Sequence, residues 1–220
     1  IDMISNNITN GDVTNYINGF YKPLNQQMEA LRKSAEENHI PIILKETESF
    51  LEFVVKATAP RRILEIGTAV GYSAAFFACL GADVVTVEKS EEMAGIAAGN
   101  IKRLGLEEKV TILTGDGEEA IRQNIKEGDL FDMVFIDAAK SHYKRFLDAS
   151  LPFCHENTLI VSDNVLLKGA TASDSLDIKG RFKTNIKRMR QYLDYIEAHP
   201  RLDTVIISCG DGLALSRCIR

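Results

Sequence analysis

The sequence has few of the features that mark secreted, zinc-binding or membrane proteins. Its four cysteines show no CxxC or zinc-ligand spacing, so we expect isolated, reduced thiols that mostly pack in the core. No apolar run approaches the roughly 20 residues of a membrane-spanning helix, and the polar stretch 2–15 is unlike a signal or transit peptide. Only five prolines occur in 220 residues, 45% of which are hydrophobic. These properties predict one soluble, cytoplasmic domain with a large core and no membrane partner.

Acidic residues outnumber basic ones overall, but positive charge is concentrated in one segment. The net charge of −5 argues against indiscriminate binding of nucleic acid. Residues 179–190 nevertheless contain no acidic residue and six basic ones, namely Lys179, Arg181, Lys183, Lys187, Arg188 and Arg190. Such a patch, with Lys168 nearby, is suited to binding phosphates. A solvated helix face has the same composition, so the sequence leaves both interpretations open.

Common catalytic signatures are also missing. The four histidines have neither metal-ligand nor triad spacing, and neither Ser73 nor Ser162 lies in a G-x-S-x-G nucleophile elbow. Gly67 and Gly71 are four positions apart, and the third glycine of a dinucleotide fingerprint is absent. The sequence therefore favours chemistry without a covalent enzyme intermediate.

Alternating apolar runs and helical segments predict an α/β fold. We expect a single domain, 1–220, with a helical cap over 1–59 and an α/β core over 60–220. Predicted strands lie near 62–66, 84–88, 110–113, 132–136, 158–162, 204–208 and 213–217. Predicted helices lie near 71–80, 90–104, 117–126, 140–150 and 180–198. This order is typical of a doubly wound, mostly parallel seven-stranded sheet, and the tight join at 209–212 makes an antiparallel C-terminal hairpin.

Polar side chains follow two neighbouring strands of this predicted sheet. Asp137 and Lys140 come after one apolar run, and Asp163 and Asn164 come after the next. Because the carboxyl ends of parallel strands meet at one edge, we expect these groups to converge although 26 positions separate the two aspartates. Two carboxylates and an amide oxygen suit Mg²⁺ or another hard divalent cation.

A second pattern predicts a nucleotide-type ligand beside this edge. Residues 62–73 read as a buried strand, a glycine turn at Gly67 and a helix start. Glu88 ends the next strand, 21 positions after Gly67, where such folds hold ribose hydroxyls. Taken singly, each residue has an ordinary explanation, since Asp caps helices and Lys or Glu at strand ends faces water. Their joint occurrence at strand ends favours a site.

Four motifs together carry a family resemblance. They are LEIGTAVGYSA, FIDAAKSHY, VSDNVLLKG and CGDGLALS. In them the chain resembles the metal-dependent, catechol-type O-methyltransferases that use S-adenosylmethionine. Within that family it is most similar to a bacterial branch that methylates 5-hydroxyuridine at the wobble position of tRNA. The similarity extends from about residue 40 to the C-terminus and implies a Rossmann-like methyltransferase fold.

The resemblance also implies residue roles. Asp137, Asp163 and Asn164 would be the metal ligands, and Lys140 would be the base that accepts the hydroxyl proton, with its pKa lowered by the metal. Residues implied around the cofactor are Ile43, Glu65, Gly67, Ser73, Glu88, Asp116, Gly117 and Asp137. Residues expected to contact tRNA are Lys168, Lys179, Arg181, Lys183, Lys187 and Arg188. We also expect a homodimer.

Three functional hypotheses follow, ranked by how many features each explains. The first is methylation of 5-hydroxyuridine to 5-methoxyuridine in the tRNA anticodon loop, which uses the basic segment as well as the site. The second is a small-molecule catechol or caffeoyl-type O-methyltransferase, which leaves the basic segment without a role. The third, an NAD-binding dehydrogenase or a non-catalytic binding module, accounts only for the glycine turn and Glu88.

Overall fold

A computed structural model describes residues 8, 10–177, 180 and 183–220. Lys179 and Arg181 of the basic segment lie outside the described residues. The helices are α1 (Gly11–Asn18), α2 (Gln26–Glu37), α3 (Lys45–Thr58), α4 (Tyr72–Cys79), α5 (Glu91–Arg103), α6 (Gly117–Asn124), α7 (Tyr143–Ser150) and α8 (Lys183–Glu197). The strands are β1 (Arg62–Ile66), β2 (Asp83–Glu88), β3 (Val110–Thr114), β4 (Phe131–Ile136), β5 (Cys154–Ser162), β6 (Leu202–Ile207) and β7 (Leu213–Cys218).

The seven strands form one sheet in the order β3-β2-β1-β4-β5-β7-β6. β1 pairs in parallel with both β2 and β4, and β4 pairs in parallel with β5. β7 runs antiparallel to both of its neighbours, β5 and β6. The predicted mostly parallel, doubly wound sheet with an antiparallel C-terminal hairpin is confirmed.

Helices bury both faces of the sheet, which explains the nearly continuous apolar runs of its central strands. Leu64 and Ile66 of β1 pack on one face with α6, α7 and α8. Ile63 of β1 and Phe135 of β4 pack on the opposite face with α2, α3 and α4. Each such side chain contributes roughly 1.5–3 kcal/mol when fully buried, so the core holds the strand ends in fixed register.

Two predicted boundaries differ from the structure, the start of β5 and the start of the helix after β4. β5 begins at Cys154 rather than near 158, because an irregular stretch with Asn157 in a left-handed conformation (φ 72°) precedes its regular pairing with β4. The predicted helix 140–150 is divided into a 3-10 turn, Lys140–His142, and α7. The turn is closed by a bond from the His142 amide to the Ala139 carbonyl, 2.9 Å.

Other predictions at this level are partly confirmed. Cys154 and Cys218 are buried, Cys209 is half-buried and Cys79 is exposed, so the cysteines lie mostly in the core, as expected. Among the described residues, no helix has the length and apolar character needed to span a bilayer.

Candidate active site

Two loops at the carboxyl edge of the sheet bring the predicted acidic residues together. β4 and β5 end in register, with Ile136 opposite Ser162, so Asp137 and Asp163 leave adjacent strands side by side. The Lys140 ammonium lies between the loops. It donates to Asp137 Oδ1 at 2.7 Å and to Asn164 Oδ1 at 2.8 Å. The convergence predicted from sequence is therefore present in the structure.

Tyr143 completes this cluster and had no role in the sequence analysis. Lys140 donates to its hydroxyl at 2.8 Å, and the hydroxyl donates to the Asp163 carbonyl at 2.9 Å. Tyr143 is buried at the start of α7, three positions after Lys140. From sequence alone it is indistinguishable from a core aromatic, because its helical spacing fits packing equally well.

The buried charges of the cluster shift the pKa values of Asp163 and Lys140. Burial raises the pKa of Asp163, and the nearby Asp137 raises it further. Burial acts to lower the pKa of Lys140, but Tyr143, Asp137 and Asp163 outweigh it and raise that pKa. With protein groups alone as neighbours, Lys140 is held as an ammonium ion. The lowered pKa that we expect beside a bound metal stays a prediction.

The oxygen set fits a divalent cation. Asp137 and Asn164 already direct oxygens at one positive charge, the Lys140 ammonium. The buried Asp163 carboxyl lies beside them and lacks a full countercharge, as its raised pKa indicates. Among the described residues, no three His, Cys, Asp or Glu side chains gather as a metal cluster. A cation bound by the predicted ligands Asp137, Asp163 and Asn164 would have two carboxylates and one amide oxygen, which suit Mg²⁺ better than zinc.

The glycine turn after β1 contacts the loop that carries Asp137. Gly67 has φ 106°, and a Cβ at this position would meet the Asp137 carbonyl oxygen at 2.0 Å. Only glycine permits this approach. The turn continues to Ala69, which has φ 46° and donates its amide to Glu88 Oε2 at 2.8 Å. Glu88 thus lies at the turn, as predicted, and also holds it in shape.

Glu65 carries an unsatisfied buried oxygen beside the turn. Its Oε2 accepts from Thr86 at 2.5 Å, whereas Oε1 has no partner among the described residues. Burial raises the pKa of Glu65 to about 7, although the nearby hydroxyls of Ser73 and Thr86 act to lower it. Ser73 also lines the adjacent cavity. A ligand ammonium group could supply the missing donor.

Two cavities meet over the glycine turn. The larger, about 500 Å³, is lined by Ile43, Ser73 and the acidic cluster. The smaller, about 320 Å³, is lined by Glu88, Asp116 and other residues at the β2 and β3 ends. Both share Gly67, Ala69, Asp137 and Ala138. An elongated ligand crossing Gly67 could place a nucleoside in the smaller cavity and its other end beside Asp137.

Gly117, one of the residues implied around the cofactor, must be glycine because of packing. A Cβ at Gly117 would lie 2.7 Å from the Phe146 ring. The Asp116 carboxylate is held by Arg145, whose terminal nitrogen lies 2.8 Å from each oxygen, and this pairing lowers the pKa of Asp116 against the effect of burial. His142 and Phe146, which the sequence analysis missed, also line this cavity and stack edge to face.

The outer wall of the larger cavity is a loop fixed by the hairpin turn. The amide of Val165 donates to the Gly212 carbonyl and that of Leu166 to the Asp211 carbonyl, both at 3.0 Å. Asp211 Oδ1 accepts from the Lys168 amide. Leu167 and Lys168 have positive φ, 49° and 56°, a conformation that such residues adopt only when the surroundings impose it.

Asp211 is a second buried acid that sequence reasoning did not select. It is 8% exposed and lines the larger cavity. Burial raises its pKa to about 6. Its only sequence signal is an acid between two glycines in a tight turn, a pattern that any hairpin shares.

The described part of the basic segment begins α8. This helix packs against the 3-10 turn that carries Lys140. Lys183, Lys187 and Arg188 are exposed, whereas Arg190 is bound to the Thr171 carbonyl at 2.8 Å and to Asp174. A groove beside them is also lined by Asp174, Asp177 and Asp194. The surface next to the site is therefore of mixed charge.

The sequence and fold are similar to those of known O-methyltransferases. Residues 20–219 match the family model described as O-methyltransferase. A catechol O-methyltransferase from Mycobacterium tuberculosis is 32% identical over 76% of this chain and 76% of its own length. A Staphylococcus aureus structure, provisionally described as a caffeoyl-CoA O-methyltransferase, has a TM-score of 0.87 and 30% identity, covering 94% of this chain and 99% of that one. An O-methyltransferase from Bacillus cereus in complex with S-adenosylhomocysteine has a TM-score of 0.82 and 26% identity, covering 94% and 97%.

Proposed function

This chain belongs to the O-methyltransferase family, and we propose that it methylates a small molecule with two adjacent oxygens, of the catechol or caffeoyl type. It is an S-adenosylmethionine-dependent O-methyltransferase, in keeping with its relatives and with the cofactor-bound neighbour. The third hypothesis from sequence, a dehydrogenase or a binding-only module, is thereby excluded. What remains to be proposed is the acceptor and the groups that act on it.

The observation that carries this proposal is the placement of Lys140. Its ammonium is held by Asp137 and Asn164 at the floor of a cavity of about 500 Å³. The walls above it are mainly apolar, with Ile42, Leu44 and Leu167 among them. A planar ring fits such walls, while its two oxygens would face the polar floor.

The proposed roles divide between two halves of the site. Gly67 leaves room for the cofactor beside the strand, and Glu88 accepts hydrogen bonds from its ribose hydroxyls. Glu65 and Ser73 hold its amino-acid end, for which the unpaired Glu65 oxygen is suited. Asp137, Asp163 and Asn164 would hold the cation. Lys140, at hydrogen-bond distance from two of these ligands, would take the acceptor proton in its neutral form, which a cation on the same ligands would favour by repelling the ammonium.

The cation, when bound, would lower the pKa of the acceptor hydroxyl and fix the orientation of the two oxygens. The chain itself positions the reacting groups. Gly67 touches the Asp137 backbone, so the turn proposed to hold the cofactor is in direct contact with the loop proposed to hold the cation. This contact would set the distance between the methyl donor and the acceptor oxygen.

A tRNA wobble uridine is the second candidate acceptor. It is supported by the exposed cations of α8 beside the catalytic turn, since Lys183 and Lys187 form no ion pair with any other described residue. Flanking phosphates of an anticodon loop would suit such a surface. Against it stand Asp174, Asp177 and Asp194 in the same groove, which would repel phosphates. We therefore rank the small acceptor first.

Charge reversal separates the two acceptors. We expect the wild-type enzyme to methylate a catechol, and the triple variant Lys183→Glu, Lys187→Glu, Arg188→Glu to keep its KM for that acceptor within about twofold. A phosphate-binding surface would instead raise the KM for 5-hydroxyuridine tRNA steeply and flatten its salt dependence in the variant. Methylation rates for both substrates at several salt concentrations provide the measurement. Transfer to tRNA but not to catechol would overturn the small-acceptor proposal.

Removal of the Glu88 carboxylate should weaken cofactor binding. Glu88→Ala is expected to raise the Kd for S-adenosylhomocysteine by more than about tenfold, because hydrogen bonds to a charged acceptor contribute on the order of 1.5–3 kcal/mol each. It also removes the acceptor of the Ala69 amide. Calorimetric titration measures the Kd, with Glu92→Ala as a control that deletes an exposed carboxylate of α5. An unchanged Kd in Glu88→Ala would contradict the ribose assignment.

The homodimer remains part of this proposal. It is supported by large exposed apolar side chains near the N-terminal helices, namely Tyr16, Phe20 and Phe53.

A further inference from the structure

A buried ionic cluster joins the N-terminal helices to the α/β core. Arg32 of α2 and Glu48 of α3 are only 5% and 1% exposed, and they form an ion pair. Tyr72, the first residue of α4, donates its hydroxyl to Glu48 Oε2 at 2.7 Å and accepts from Arg32 Nε at 3.1 Å. Tyr21 donates to the other Glu48 oxygen at 2.9 Å. The charges of Arg32 and Glu48 thus connect four parts of the fold, namely α2, α3, α4 and the segment that carries Tyr21.

This cluster reaches the wall of the catalytic cavity at two points. Arg32 donates to the main-chain carbonyl of Ile43 at 2.9 Å, and Ile43 lines the larger cavity. Tyr72 lines the same cavity, and the Arg32 guanidinium lies 4.7 Å from its ring centroid. Loop 40–44 therefore lies between the cavity on one side and the buried charges on the other.

We propose that Arg32 and Glu48 are positioning residues that hold loop 40–44 and Tyr72 as the roof of the catalytic cavity. Neither side chain touches the cavity, and each acts through a residue that does. Tyr72 and Ile43 line this cavity together with Gly67 and Ser73, which we assign to the cofactor. The proposal rests on the methyltransferase function but not on the identity of the acceptor.

The chemistry of the pair favours positioning over simple stabilisation. A buried ion pair often stabilises a fold no better than apolar side chains of similar size, because both charges lose their hydration. A guanidinium, however, offers donors in a fixed plane. Here the Arg32 guanidinium donates at the same time to the Ile43 carbonyl, the Glu48 carboxylate and the Tyr72 hydroxyl. A leucine or methionine would fill the space without fixing the loop.

Three variants remove different parts of the cluster. Arg32→Lys keeps the charge but cannot reach three acceptors together, Glu48→Gln removes the negative charge, and Tyr72→Phe removes only one hydroxyl. Glu36→Gln is the matched control, because Glu36 is the exposed partner of Arg32 at 3.3 Å and lies outside the cavity formed with Gly67. Each purified protein is titrated with S-adenosylhomocysteine and assayed for KM and kcat. Amide exchange of residues 40–44 and thermal melting are measured alongside.

Arg32→Lys and Glu48→Gln are expected to raise the Kd for S-adenosylhomocysteine about tenfold or more, since small displacements in a site have effects of this order. We expect amide exchange in 40–44 to accelerate, Tyr72→Phe to show the same changes to a smaller extent, and Glu36→Gln to match the wild type. A cluster that only stabilises the fold would lower the melting temperature and leave the Kd of the folded protein unchanged. That result would overturn the proposal.

Two further outcomes are also decisive. If Arg32→Lys and Glu48→Gln fail to fold, Tyr72→Phe decides, and an unchanged Kd together with unchanged exchange in 40–44 would refute the positioning role. An equal loss in Glu36→Gln would refute it as well, because the effect would not come from the buried contacts. Cofactor binding is measured without an acceptor, so a wild type that ignores catechols would disprove the proposed acceptor and leave this test intact.

Discussion

Removal of divalent cations is expected to abolish methyl transfer while leaving cofactor binding in place. The reason is the separation of the two halves of the site. Asp163 and Asn164 line only the larger cavity, where we propose that the acceptor binds, whereas Glu88 lines the smaller cavity proposed for the nucleoside. Asp163→Asn should lower the rate by at least about 10²-fold with little change in the Kd for S-adenosylhomocysteine. EDTA treatment, re-addition of Mg²⁺ and titration of the cofactor provide the measurements.

The stability of Asp163→Asn distinguishes a catalytic defect from a folding defect. Burial raises the pKa of Asp163, so its ionised form destabilises the cation-free fold at neutral pH. The amide should therefore melt at the same or a higher temperature in EDTA. Asp83→Asn is the matched control, since it makes the same change at the exposed start of β2. Full activity of metal-free enzyme would show that the acidic cluster is structural.

Loss of the Lys140 amine is expected to lower kcat by roughly 10²- to 10⁴-fold, the range of general acid–base groups. Lys140→Ala removes the group that bridges Asp137 and Asn164. Its cofactor affinity should stay near that of the wild type, because Lys140 lines the larger cavity only at the polar floor. Steady-state kinetics with saturating Mg²⁺ provide the measurement.

Lys144→Ala serves as the matched control for this prediction. Lys144 lies on α7, four positions after Lys140, is exposed and pairs with Asp148 at 2.7 Å. It should retain the wild-type rate. A loss of less than about tenfold in Lys140→Ala would mean that the amine is not the base. The ammonium would then serve to balance the charge of Asp137 and its neighbours.

The fold could be predicted from the sequence because the apolar runs that mark the strands are local patterns. β1 matches its predicted bounds, and the apolar runs of β2, β3 and β4 lie within one residue of theirs. The start of β5 was missed because it depends on a tertiary contact, the hydrogen bond from Thr158 to the Phe131 carbonyl across the sheet. Periodicity within a short stretch carries no information about such a bond.

The site was predictable to the extent that topology fixes it. Asp137 and Asp163 could be paired because parallel strands end at one edge. The sequence could not identify three further residues in or beside the site, namely Tyr143, Asp211 and Arg32. Their roles depend on burial and on contacts with residues distant in the chain, which a local pattern does not show. For the same reason, the sequence could not show that Tyr143, Asp137 and Asp163 raise the pKa of Lys140 when protein groups are its only neighbours. The sequence does not show how many negative groups surround an amine.

The bonds from the hairpin turn to residues 165–168 give the two halves of the site different folding requirements. The cofactor half is built on β1, β2 and β4, whereas the acceptor loop depends on Asp211 and Gly212, which precede β7. A local opening that detached β7 from β5 would release the bonds of Asp211 and Gly212 to residues 165–168 and leave the ends of β1, β2 and β4 in place. On the proposed division of the site, such an opening would impair methyl transfer before it impaired cofactor binding.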